Sequence, residues 1–211
     1  MSGAALQPLD LAALLCSRVC HDLISPVGAI VNGLEVLEEG KDAETKEFAL
    51  DLIKKSARTA SAKLQFCRIA FGAAGSAGAQ IDTGDAETIS RAFLEDDKTK
   101  IVWNLPRALL PKNRVKLLLN MLLIAGQAIP RGGQLAIEPI GTGESAGFKV
   151  AATGANAKIP QAMPGLLTAE LGSEAVDAHR IQPYYTALLA KDCKLTVAMA
   201  AEGEAVAVTA K

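Results

Sequence analysis

The 211-residue chain is half hydrophobic by composition, so it can build the core of one large domain or two small ones. Its 22 basic and 23 acidic residues leave a formal net charge of -1, which gives no overall electrostatic case for nucleic acid or an anionic membrane as a partner. Aromatic residues are only 4% and alanine is abundant, a composition suited to closely packed helices with small contacts. No run of about 18 uncharged apolar residues occurs, which predicts no membrane span, and Met1 to Gln7 lacks the basic start of a secretory signal. Cys16, Cys20, Cys67 and Cys193 have no C-x-x-C spacing and no neighbouring ligand set, so buried free thiols in a reducing cytoplasm are expected and a metal is not.

The first element is a long helix over residues 9–39. Val19, Leu23, Val27, Ile30, Leu34 and Leu37 recur at steps of three and four and predict its apolar stripe. Ser17, His21, Ser25, Gly28, Asn32 and Glu35 follow the same steps on another face, where the residues are small or polar. Pro26 removes a backbone donor, and a kink is expected there. Gly40 is placed to end this helix and Asp42 to cap the next, over 43–71. Ala49, Ile53, Ala57, Ala60, Leu64, Cys67 and Phe71 predict the second stripe. The short connection makes an antiparallel hairpin. A hairpin buries one side of each helix, so the remaining small and apolar residues predict pairing with a second copy into a four-helix bundle.

Gly72 to Gln80 is rich in glycine, alanine and serine and reads as a linker, dividing the chain into a hairpin domain at 1–75 and a second domain at 76–211. In the second domain Asp85 to Phe93 reads as helix and Lys100 to Leu105 as strand. Asn113 to Ile129 reads as helix, closed by Pro130, Gly132 and Gly133. Gln134 to Ile140 and Gly147 to Ala152 alternate as strands, and 183–191 reads as helix. Leu195 to Met199 and Ala205 to Thr209 form a terminal hairpin. The class is α+β: a helical hairpin followed by an α/β sandwich with one helical face.

The run His21-Asp22-Leu23-Ile24-Ser25-Pro26 carries most of the functional content. A neutral imidazole is nucleophilic near neutral pH, and phosphoryl transfer asks mainly for access, in-line positioning and charge compensation. Asp22 could orient the ring by accepting from one nitrogen, or could point away, because neighbouring helix residues do not share a face. Arg18, one turn earlier, could meet a phosphate or an acidic partner. A plain polar surface histidine is the competing reading. His179 reads as part of a solvated turn.

The same run resembles the phospho-accepting H box of dimeric sensor histidine kinases, and the hairpin resembles their phosphotransfer bundle. The second half resembles their GHKL-type ATPase domain in degenerate form. Asn120-Met121-Leu122-Leu123-Ile124-Ala125, running on to Gly132-Gly133, is similar to the N box, but Ile124 stands where kinases hold magnesium. Ala152-Thr153-Gly154-Ala155-Asn156 stands where an adenine-reading aspartate and a Gly-x-Gly are required, and Arg180-Ile181-Gln182-Pro183-Tyr184 replaces the glycine-rich lid. On these residues the chain is similar to the ChpT-type histidine phosphotransferases of alphaproteobacterial phosphorelays.

That resemblance implies a cytoplasmic homodimer in cell-cycle regulation. Phosphate would arrive from the receiver of a CckA-type hybrid kinase and leave to CtrA-type and CpdR-type response regulators. It implies His21 as phosphoacceptor, Asp22 as the adjacent acid, and Ser25 at a position where some kinases carry a phosphatase residue. Arg18 and Ser25 are expected at the partner surface. No cofactor is expected on this chain, and Mg2+ belongs to the receiver. The alternatives are a kinase relative with residual nucleotide binding and a dimeric non-catalytic scaffold.

Overall fold

The computed structural model describes residues 6–72, 79–143, 146–168, 177–178 and 180–211. Helix α1 (Pro8–Glu39) starts with proline at its first position, where the missing N–H costs nothing. It passes through Pro26 unbroken. Gly40 closes it as expected, with its N–H on the Val36 carbonyl and an extended backbone at φ -62. Glycine is needed there for space, since a Cβ would lie 2.9 Å from the Val36 oxygen and 3.2 Å from Thr45 Cγ2. Asp42 then caps α2 (Ala43–Ala70), accepting from the Thr45 amide at 2.8 Å and its hydroxyl at 2.7 Å. These bonds hold the Asp42 carboxyl below its ordinary pKa.

The two helices pack along their lengths, and the seam differs from the expected stripes. Pro26 and Gly33 are the buried residues of α1, while Val27 and Leu34 remain 48% and 44% exposed. A Cβ at Gly33 would lie 2.7 Å from Ile53, so glycine is what lets the helices approach. On α2 the buried positions are Ala49, Ser56, Phe66, Cys67 and Ala70, while Ala57 and Leu64 face outward. The expected stripes therefore mixed two faces. Ile24, Val27, Val31 and Leu34 on α1, and Leu50, Ala57 and Leu64 on α2, recur at heptad-like steps and form an exposed apolar surface. By helical phase both rows lie on the same side of the hairpin. Cys16 and Cys20 are also exposed, contrary to expectation, because both fall on the outward side of α1. Helix α1 is long and apolar enough to cross a membrane by length and composition alone.

The second half opens with β1 (Gln80–Asp82), which pairs antiparallel with β3 (Leu109–Pro111). Neither three-residue strand was legible in the sequence. Between them lie α3 (Thr83–Leu94), capped by Asp82, and β2 (Thr99–Trp103). Next come α4 (Lys112–Ala128), β4 (Gly133–Ile140), β5 (Gly147–Thr153), a single turn α5 (Met163–Leu166) and α6 (Ile181–Asp192). The final hairpin is β6 (Val197–Glu202) and β7 (Ala205–Ala210). It starts two residues later than expected because Leu195 still donates to the Ala190 carbonyl, at the end of α6.

The main sheet has the order β2-β4-β5-β7-β6, with β2 and β4 parallel and the rest antiparallel. Helix α4 lies between this sheet and α6 and is buried almost all round, with Val115, Leu117 to Leu119, Met121, Leu122, Ile124 and Ala125 fully covered. The end of α2 docks onto this layer. Phe66 packs against Phe93 in a tilted pair with ring centroids 4.7 Å apart, and the Phe71 and Tyr185 centroids are 5.9 Å apart. His179 lies outside the described residues, as does most of the expected linker.

Candidate functional site

His21 sits near the middle of α1 on the small, polar face, with its side chain 63% exposed. The ring is therefore open to an incoming group. Nδ1 is 3.7 Å from Asp22 Oδ1, too long for a hydrogen bond but close enough for attraction when the ring is charged. Asp22 is oriented by another residue. Its Oδ2 accepts from Arg18 Nε at 2.9 Å, an i,i+4 pair with both side chains 18% exposed. Of the two arrangements open from sequence, the carboxylate takes the one turned from the ring, hydrogen-bonded to Arg18 and not to His21 Nδ1. Arg18, expected to face a partner, is turned to Asp22. Ser25, one turn beyond His21, is exposed on the same face.

A residue the sequence reading missed completes the cluster. Pro26 has no N–H, so the helical bond to the carbonyl four residues back, that of Asp22, cannot form. Lys63 of α2 donates to this carbonyl instead, Nζ to O at 3.0 Å. The signal was present in the proline spacing, but only the hairpin register shows which α2 residue arrives. Cys67 lies one turn beyond Lys63, and its thiol is pushed up to about 11, chiefly by burial and then by the Asp22 carboxylate, with Arg18 and Lys63 pulling the other way. Two cations and one carboxylate therefore gather behind the exposed imidazole.

In the second half, the residues that the resemblance set against a kinase ATP site belong to the protein core. Ile124 and Ala152 are both fully buried. Asn120, in the run that resembles an N box, is fully buried and committed to protein partners. Its Nδ2 donates to the Ala70 carbonyl at 3.0 Å and to the Lys116 carbonyl at 2.9 Å. Gln182 Nε2 donates to the Asn120 carbonyl at 2.9 Å and to its Oδ1 at 3.2 Å. Ala70 is the last residue of α2, where helix carbonyls lack internal donors. Asn120 therefore caps the hairpin and ties it to α4 and α6, with Gln182 from the run read as replacing the lid. Among the described residues, no group of three or more His, Cys, Asp or Glu could hold a metal ion.

Residues 83–205 match the sequence family described as the histidine phosphotransferase C-terminal domain. The protein phosphotransferase ChpT of Brucella abortus (strain 2308) is 52% identical over 206 residues, covering 98% of this chain and 97% of that protein. A bacterial phosphotransferase solved at 1.7 Å superimposes with a TM-score of 0.90 at 48% identity, over the full length of both chains. The histidine kinase AdeS of Acinetobacter baumannii aligns more distantly, at 13% identity and a TM-score of 0.44, over 90% of this chain and 95% of that one.

Proposed function

Because the chain belongs to the histidine phosphotransferase family, we propose that it relays a phosphoryl group through His21, from the receiver domain of a hybrid kinase to the receivers of response regulators. The observation that carries this reading is an imidazole 63% exposed on a small-residue helix face, with Arg18, Asp22 and Lys63 gathered behind it. In the forward step, the unprotonated ring nitrogen, Nε2 in this reading, attacks phosphorus of an aspartyl phosphate. The N–P bond forms as the P–O bond breaks, and the aspartate carboxylate leaves with the electron pair. The return step to a second receiver reverses the same bonds. Mg2+ belongs to the receiver and compensates the phosphoryl charge there. The CckA-type donor and the CtrA-type and CpdR-type acceptors belong to this reading, as do a cytoplasmic location and a role in cell-cycle control.

Dimerisation through residues 1–75 fits the exposed apolar rows on α1 and α2, which a single hairpin leaves in water. The same rows account for the hydropathy of α1 without a membrane. Residues 76–211 would act as a docking platform beside the hairpin rather than as an ATPase, since the metal and adenine positions are taken by the buried Ile124 and Ala152. The test is incubation with a receiver carrying labelled phosphate. Wild type should acquire acid-labile label and His21→Ala none, with unchanged helicity because the site is exposed. Label persisting on His21→Ala would rule the assignment out.

A further inference from the structure

We infer that Lys63 is a positioning residue for phosphotransfer at His21, replacing the backbone donor that Pro26 withholds. This rests on the reading of His21 as phosphoacceptor. The chain of reasoning begins with the proline. A mid-helix proline leaves the carbonyl four residues earlier without its partner and loosens the turn between. Here that carbonyl belongs to Asp22, the residue next to His21, so the loosened turn is the one that must hold the nucleophile in line. Lys63 reaches across from α2 and donates to this carbonyl at 3.0 Å.

The placement of Lys63 is selective. It is half-buried on the α2 seam, between the partly buried Ala60 and the buried Cys67, where a lysine gives up hydration that an exposed position would keep. A neutral amide donor has thus been exchanged for a charged one, anchored on the opposite helix. The exchange fastens the His21 turn to α2. It also keeps a cation behind a residue that gains negative charge with the phosphoryl group. Arg18 is directed at the Asp22 carboxylate, and Lys63 at the Asp22 carbonyl.

The experiment uses the full chain and the phosphorylated receiver of a CckA-type hybrid kinase. Lys63→Met should slow transfer at saturating receiver about tenfold while leaving half-saturation within about twofold, and Lys63→Arg should stay within about threefold of wild type. Pro26→Ala restores the backbone donor, so it should recover most of the lost rate when combined with Lys63→Met. Hydrogen exchange gives a readout independent of transfer. Lys63→Met should accelerate exchange of the amides in the turn after His21 about tenfold and leave those of 31–37 unchanged. Transfer and exchange both at wild-type values in Lys63→Met would overturn the inference, as would an equal defect with Pro26 and with alanine. Label on His21→Ala would instead overturn the phosphoacceptor reading, and the exchange result would still decide whether Lys63 holds the turn.

Discussion

Replacing Asn120 tests whether the asparagine of the N-box-like run serves as a structural cap. In Asn120→Ala the Ala70 carbonyl, at the buried end of α2, loses the donor that reaches it at 3.0 Å. Leaving one buried polar group unpaired costs about 1–3 kcal/mol. The 3.2 Å bond from Gln182 is lost too, worth about 1 kcal/mol more. The Lys116 carbonyl can keep its helical bond, so it adds little. The sum is about 2–4 kcal/mol, and for a chain of this size each kcal/mol lowers Tm by roughly 2–4 °C. Thermal unfolding at one fixed protein concentration should therefore show Asn120→Ala melting roughly 4–16 °C below wild type. Asn120→Asp keeps the shape but turns a carboxylate toward the Ala70 and Lys116 carbonyls, and it should cost at least as much. An Asn120→Asp melting point within about 1 °C of wild type would refute the cap.

Three further outcomes are expected. Leu34→Glu and Leu64→Glu place a charge on the exposed apolar rows, so sedimentation should show dimer affinity lowered about a hundredfold or more, with helical content retained. A monomeric wild type across micromolar dilution would remove the basis for this. Cys67 and Cys193 are both pushed up to about 11 by burial, so the folded state binds these protons more tightly than the unfolded state. Their stabilising contribution is complete below pH about 9 and is lost as pH rises toward about 11. Denaturant titrations should show stability falling over that window, and Cys67→Ala should flatten the slope. With ATP and magnesium, calorimetry on wild type should show no binding heat. Micromolar affinity would overturn the packed-site reading of Ile124 and Ala152.

The long helices, their hairpin, most of the strands and the family were all legible in the sequence, because each depends on local periodicity, capping residues or a short motif. Asp42 could be read as a cap and His21 as an exposed imidazole for the same reason. The register of α1 against α2 could not. Both helices carry apolar residues on two faces, and a single periodic pattern does not say which face meets its hairpin partner. Only the packed hairpin separates Pro26 and Gly33, which are buried, from Val27 and Leu34, which face outward. The same register brings Lys63 to the Asp22 carbonyl, 41 positions away in the chain. The β1–β3 pair was missed because three residues are too few to show a period. Asn120 belonged to a recognisable motif, yet its partners are Ala70 and Gln182, 50 and 62 positions distant. Sequence marks a polar residue as chemically able, but whether it serves a ligand or the fold depends on which atoms the tertiary structure brings within hydrogen-bond reach.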